Sequence, residues 1–193
     1  MGRTLRALIL MVLVASCGGG GSVAPPRNLD NACAMLRERP DFRRAFERAE
    51  RKWGVPLHVM MSTIYHESKF EGDARTPLRF VLGVIPMGRQ SSAYGYSQAL
   101  DGTWDEYLAE EGRRRAKRTD IRDAADFIGW YMTNTEKRLG ISKRDARNQY
   151  LAYHEGQAGY ARESYRAKPW LMRYADRVQE RAIMYEVQLN RCR

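Results

Sequence analysis

The chain lacks an apolar run long enough to cross a bilayer: the stretch near its start, residues 7–14, holds eight apolar residues, whereas a spanning helix needs about 20. It is also poor in metal-ligating side chains. Its 3 cysteines and 3 histidines are scattered and lack the spacing of a zinc site, so neither a metal nor a cofactor is expected. There is no internal repeat and no second linker. At 193 residues the chain has the length of a leader and one ordinary domain, long enough to bury a core without metal or many crosslinks. Acidic charge is in deficit as well, with 23 Asp and Glu against 33 Lys and Arg, a net +10. In a cytosolic protein that excess would raise nucleic acid as a partner, but the start of this chain argues for export, and nucleic acid is not expected.

What stands at that start is an address. Arg3 and Arg6 form a charged end, residues 7–14 an apolar middle, and the small residues Ala15 and Ser16 lead into Cys17, which is the order of a secretory signal. Small residues directly before a cysteine resemble a bacterial lipobox, although Val14 stands where Leu is commoner. The resemblance implies that Cys17 is lipidated and becomes the first residue of the mature chain; an ordinary secretory signal cut nearby is the alternative. Gly18, in place of an Asp after that cysteine, points to the outer membrane, facing the periplasm. The glycine run at 18–21, followed by Ser22, Val23, Ala24, Pro25 and Pro26, has no apolar period and reads as a tether.

The expected division is therefore a signal peptide over 1–16, a lipid-anchored tether over 17–29 and one folded, monomeric domain over 30–193. If Cys17 carries lipid, Cys33 and Cys192 remain as a pair bracketing that domain. An oxidising compartment favours a disulfide between them, worth about 4 kcal/mol on the chain-entropy model. In the envelope the positive charge meets lipid headgroups, lipopolysaccharide and the carboxylates of cell-wall peptide stems. General attraction ranks before specific recognition here, and a cluster such as Arg113 to Arg118 reads as a solvated helix face or loop.

Helical signals dominate the domain. Pro40, at a first helical position, leads Phe42, Ala45, Phe46 and Ala49 at helical spacing until Gly54 stops the helix. Pro56 opens a second helix with the stripe Leu57, Met60, Met61 and Ile64, and Gly72 is its candidate terminator. Asp120 with Asp123 resembles an N-terminal cap ahead of Ile121, Ala124, Phe127, Ile128 and Tyr131, with a stop at Gly140, and Ser142 with Asp145 begins the next helix in the same manner. After Pro169 the helical period runs from Leu171 to Leu189. Residues 73–94 do not read as helix. Within them Arg79 to Ile85 favour a short strand or hairpin arm, and so long an excursion is expected to wall one side of a groove. The fold class is thus mainly α, with one irregular or short β excursion around residues 73–94.

Glu67 follows Ile64 by three residues and Met60 by seven, which sets its carboxyl on the buried edge of the second helix. Burial and the negative end of the helix dipole both disfavour the ionised form and raise the pKa. A carboxylic acid still protonated near neutral pH can give its proton to a leaving oxygen, as cleavage of a glycosidic bond requires. Taken alone, a glutamate at a helix edge is more often half of a surface ion pair.

Three separated segments change that balance when read together: Ile64-Tyr65-His66-Glu67-Ser68, Ala93-Tyr94-Gly95-Tyr96-Ser97-Gln98 and Tyr150-Leu151-Ala152-Tyr153-His154-Glu155-Gly156. In this order they resemble the three motifs of the soluble lytic transglycosylase family, helical proteins of lysozyme-like fold that cleave the glycan strands of peptidoglycan. The first resembles the Glu-Ser pair that ends the catalytic helix. The second is similar to Gly-Leu-Met-Gln, with Gly95 and Gln98 retained and Tyr96 and Ser97 substituted. The third is similar to Ala-Tyr-Asn-Ala-Gly, with Ala152, Tyr153 and Gly156 retained.

The resemblance implies that Glu67 is the single catalytic acid, protonating the bond between N-acetylmuramic acid and N-acetylglucosamine. It then serves as base on the muramoyl C6 hydroxyl, giving a 1,6-anhydro end without water. It also implies that the Tyr153 hydroxyl holds the catalytic carboxyl and that Ser68, Tyr96 and Gln98 support or line the sugar groove. His154 and Glu155 depart from the family's Asn and Ala, and Ser97 from its Met. Glu155 is a second carboxylate near the site: aimed into the groove it would orient water and give a muramidase-type hydrolase, and otherwise it pairs with an arginine. The same departures leave open a non-catalytic peptidoglycan-binding lipoprotein.

Overall fold

Apolar residues at helical spacing become helices throughout the computed structural model, which describes residues 23–81 and 85–192. In chain order these are α1 (Ala32–Glu38), α2 (Pro40–Trp53), α3 (Leu57–Ser68), a hairpin of β1 (Leu78–Val81) and β2 (Ile85–Arg89), α4 (Asp101–Glu110), α5 (Ile121–Leu139), α6 (Ala146–Glu155), α7 (Gln157–Ala161), a 3-10 turn at Ser164–Ala167 and α8 (Pro169–Arg191). The architecture is mainly α, and the excursion resolves into an antiparallel hairpin with a register shift between Leu78 and Phe80. No helix among the described residues is long and apolar enough to cross a membrane.

α3 is the centre of the domain. Leu57, Val59, Met60, Met61, Ser62, Thr63 and Ile64 are all buried, so the helix has no solvent face over its first two turns and must be surrounded by others. Its polar side chains are satisfied in place: Ser62 Oγ donates to the Val178 carbonyl of α8 at 2.7 Å, and Thr63 Oγ1 to the Val59 carbonyl at 3.0 Å. Beside it α2 buries Phe42, Ala45, Phe46 and Ala49 and lies along α5. Close approach of those two helices depends on Gly129, since a Cβ there would meet Trp53 Cδ1 at 2.3 Å. Trp53 Nε1 then donates to Asp126 at 3.0 Å. The buried Asp126 carboxylate also accepts from the Tyr107 hydroxyl at 2.7 Å and from Lys52 and Arg113, so its burial is compensated.

Helix ends depart from expectation in two places. α3 stops at Lys69 rather than at Gly72: Lys69 (φ 53°) and Phe70 (φ 61°) both adopt the left-handed conformation. Each costs on the order of 1 kcal/mol or more for a residue with a side chain. Full burial of Phe70, its ring 5.7 Å from Phe42 and 6.4 Å from Phe46, returns about 2–3 kcal/mol. α6 is capped by Asp145, which accepts from the Asn148 N–H at 3.0 Å; Ser142 instead receives the Arg144 N–H in a turn just before it. By contrast α5 starts at its expected cap, Asp120. α1, α4 and α7 were not anticipated, being short and carrying few apolar residues at helical spacing.

The folded domain begins earlier than residue 30. The Val23 carbonyl accepts from the Gly72 N–H at 2.7 Å, the Ala24 carbonyl accepts from Arg39 at 3.0 Å, and Pro26 is buried, so the end of the expected tether is part of the fold. The expected signal peptide, Cys17 and the glycine run lie outside the described residues. Cys33 on α1 and Cys192 after α8 form a disulfide with Cα atoms 6.0 Å apart across 159 positions of sequence. It closes nearly the whole domain into one loop, so the variant Cys33→Ser, Cys192→Ser is expected to lose about 4–5 kcal/mol of unfolding free energy in urea titration, and reductant should do the same to the wild type.

Candidate active site

Glu67 sits on the last turn of α3, half-buried at the point where the central helix runs out of cover. Protein crowds its carboxyl, and burial raises the pKa from 4.5 to about 7 against the opposing effect of the Tyr150 hydroxyl of α6, which favours the ionised form. Tyr150 is itself buried, and burial together with the nearby Glu67 charge holds its phenol well above the ordinary tyrosine range, so it remains a donor. Tyr153, one turn further along α6, and Tyr174 of α8 also lie close enough to feel the Glu67 charge. The result is a carboxylic acid in a wall of three tyrosines, able to gain or lose its proton near neutral pH.

The segment after the hairpin, residues 91–99, is drawn in against the end of α3 and against α6 by ties that involve most of the second motif. Ser68 Oγ is buried and donates to the Tyr96 carbonyl at 2.8 Å and to Ile64 at 3.3 Å. The Tyr153 hydroxyl donates to the Ser97 carbonyl at 2.6 Å. Gln98, held at φ 50°, spends its amide on the Ala74 and Gly95 carbonyls at 2.9 and 2.8 Å. Gly95 has no room for a side chain: its φ is 77°, and a Cβ would meet the Arg118 carbonyl at 2.2 Å, the same carbonyl that accepts the Tyr96 N–H at 3.1 Å. Arg118 closes the arrangement by donating to the Ser92 and Ala99 carbonyls and pairing with Asp101.

Several expected contributors thus hold the site rather than line it. The Tyr153 hydroxyl is committed to Ser97 at 2.6 Å, and Tyr150, three residues earlier on the same helix face, is the hydroxyl that favours the Glu67 carboxylate. Ser68 is a buried tie, neither facing solvent nor lining a groove. Tyr96 is a core residue, 1% exposed and edge-on to Phe42 at 5.8 Å. Of the basic cluster, Arg113 pairs with Asp123 and Asp126 and Arg118 with Asp101, so these two are structural, while Arg114, Arg115 and Lys117 are exposed as a solvated run should be. The Arg118 and Tyr150 roles were missed, although the i, i+3 spacing of Tyr150 and Tyr153 placed both on one face of α6.

Glu155 is held away as a partner for other groups. Burial beneath neighbouring side chains would raise its pKa, but hydrogen bonds from Lys168 at 2.7 Å, from Ser164 and from His154 Nδ1 at 3.0 Å bring it down to about 2. Its ion pair is with Lys168, not with an arginine. His154 is exposed and edge-on to the exposed Trp170 at 5.4 Å. Among the described residues no three His, Cys, Asp or Glu side chains come together in a group that could hold a metal ion.

An acid on the end of a surrounded helix, faced by tyrosines from α6 and by a motif loop with a glycine that no other residue can replace, is the arrangement of a glycan-cleaving helical domain. The family described as the transglycosylase SLT domain matches residues 5–192, and the chain belongs to it. Comparison with curated proteins gives no match. Membership makes the domain a lytic transglycosylase domain of the kind that acts on peptidoglycan strands.

A buried carboxyl whose pKa is raised lowers stability as pH rises, because the unfolded chain releases that proton first. The cost is absent below about 4.5, grows towards pH 7 and is complete above it. Glu67→Gln is therefore expected to stabilise the domain by about 3 kcal/mol at pH 8 and to give little gain at pH 4, measured as urea midpoints at the two pH values.

Proposed function

We propose that Glu67 is the acid and then the base of a transglycosylation that cuts the β-1,4 bond between N-acetylmuramic acid and N-acetylglucosamine. The reading is carried by one observation: a carboxyl with a pKa raised to about 7, whose polar side-chain partner among the described residues is the neutral donor Tyr150. Glu67 gives its proton to the bridging oxygen as the C1–O bond breaks, and the N-acetylglucosamine side leaves with a new hydroxyl. The Glu67 carboxylate then takes the proton of the muramoyl C6 hydroxyl while that oxygen closes on C1, so the acid is regenerated and a 1,6-anhydro end is formed. An internal nucleophile of this sort, already positioned, replaces the second carboxylate that most glycosidases need. Glu155 offers no ready base for water, since Lys168, Ser164 and His154 occupy it, which favours this reading over a muramidase. The general acid at Glu67 likewise favours it over a purely binding lipoprotein.

Digestion of purified peptidoglycan followed by mass spectrometry of the muropeptides is expected to give anhydro ends; reducing ends alone would make the enzyme a hydrolase, and no products would make it a binding protein. Glu67→Gln should lower kcat/KM at least a hundredfold. Because the protonated form is the active one, kcat/KM should be flat below and fall above about pH 7. In Tyr150→Phe, which loses the hydroxyl favouring the ionised form, the falling limb should move to higher pH.

The address at the chain start adds a location to the same proposal: attachment through lipid on Cys17 to the envelope, at the outer membrane facing the periplasm, with the glycine run as spacer. Cys17→Ser is expected to move the protein from the membrane fraction of the producing cells to the soluble one; an unchanged distribution would reject the anchor.

A further inference from the structure

Between the last turn of α3 and the middle of α8 lies an open pocket of about 470 Å³ whose walls include Tyr65, His66, Lys69, Tyr174, Arg177, Glu180 and Arg181. Tyr174 joins it to the site, since the ring lines the pocket, its hydroxyl donates to the His66 carbonyl at 2.9 Å, and it feels the charge of Glu67. Three of the other walls are cationic. Lys69 Nζ stands 3.6 Å and Arg181 Cζ 3.4 Å from the centre of the Tyr65 ring, and Arg177 Cζ stands 4.8 Å from that of Tyr174.

Among the described residues one of these charges is in a close ion pair, and its carboxylate, Asp30, also acts on Lys69 from further off. Arg181 pairs with Asp30 at 2.9 Å, whereas among the described residues Lys69 and Arg177 have no ion pair, and Glu180, which also lines the pocket, has none either. Both ring nitrogens of His66 are buried without a hydrogen-bond partner; the Arg177 backbone is near but outside bonding geometry. Burial, followed by the repulsion of Lys69, Arg181 and Arg177, brings that imidazole down to about 4, so it is neutral and able to donate one hydrogen bond. Three cations over aromatic faces outweigh the one lining carboxylate, Glu180, and leave a net positive pocket suited to an anion carried on an organic group, with the neutral His66 ring beneath it.

We propose that this pocket receives a carboxylate of the peptide stem borne by the muramic acid of the strand being cut. The proposal rests on Glu67 as the cleavage point, for the stem leaves the sugar ring beside the bond broken and Tyr174, which lines the pocket, lies within electrostatic reach of Glu67. Phosphate on an anionic lipid headgroup would satisfy the same cations. It is less suited to a pocket one of whose walls, Tyr174, feels the charge of the reacting carboxyl, where bilayer would compete with the strand.

The test uses the uncleaving Glu67→Gln chain and two soluble probes, a short glycan strand with its stems and the same strand after the stems have been removed by an amidase. The strand with stems is expected to bind about tenfold more tightly, the scale of one charge-assisted hydrogen bond. Adding Lys69→Gln and Arg177→Gln should bring the ratio close to one, while Lys69→Arg with Arg177→Lys should retain it. Free stem tetrapeptide added to the Glu67→Gln chain should shift the His66 ring resonances, a readout that needs no pocket variant. Equal affinity for the two strands, a ratio untouched by the glutamine pair, or an unmoved His66 would overturn the proposal. So would phosphatidylglycerol vesicles that bind through Lys69 and Arg177 while the stems have no effect. Stem-dependent binding by a wild-type protein that cuts neither strand would reject the catalytic reading and leave this site standing.

Discussion

A charged group cannot be moved out of water without a partner or a shift in its proton affinity, and this constraint at Glu67 organises the domain. α3 is covered on every side by apolar packing, with α8 held to it by the Ser62 hydroxyl on Val178. A helix so covered carries whatever residue ends it into surroundings of low polarity. The residue there is a glutamate, and among the described residues its neighbours supply the Tyr150 hydroxyl and no cation in an ion pair with it. The carboxyl is consequently neither a stable anion nor permanently neutral. The left-handed pair Lys69 and Phe70 then turns the chain sharply away, at a strain that the burial of Phe70 offsets.

Most other residues of the three motifs serve that one group by fixing what surrounds it. Ser68 ties the loop to α3, Tyr153 ties it to α6, Gln98 ties it to itself, and Gly95 lets it lie on the backbone of Arg118. An acid that must face a sugar within a fraction of an ångström needs its opposite wall held as firmly as itself. A division of labour follows in which one side chain bears the proton and several hold the surfaces between which the substrate lies. The disulfide acts at a larger scale, joining the first helix to the end of the last. It restrains α8, which supplies Tyr174 to the site and most of the cations to the basic pocket.

The helices were legible where apolar residues kept a period, as in α2, α5 and α8, and where a cap is made by its own side chain, as at Asp120. α1, α4 and α7 are short enough that their apolar residues do not establish a period, and they exist because the longer helices leave surfaces for them. The end of α3 was misplaced because a glycine is the cheapest left-handed residue, and only the Phe42 and Phe46 rings make Lys69 and Phe70 an acceptable substitute. Within the site, Glu67 stood out from its helix position and its motif. The roles of Ser68, Tyr96 and Tyr153 did not, because a hydroxyl that ties a loop and one that touches a sugar have the same spacing. Which of Tyr150 and Tyr153 reaches the carboxyl depends on where the Ser97 carbonyl lies, a contact across 56 positions of sequence that local pattern does not encode.

The central claim is that the fold itself, before any sugar binds, sets Glu67 at the pKa of an acid for neutral pH. Labelling glutamate side chains with carbon-13 and following the Glu67 carboxyl resonance through a pH titration of the free protein, assigned against Glu67→Gln, measures this directly. A midpoint near 7 is the result the structure predicts; a midpoint at the ordinary 4.5 would contradict it.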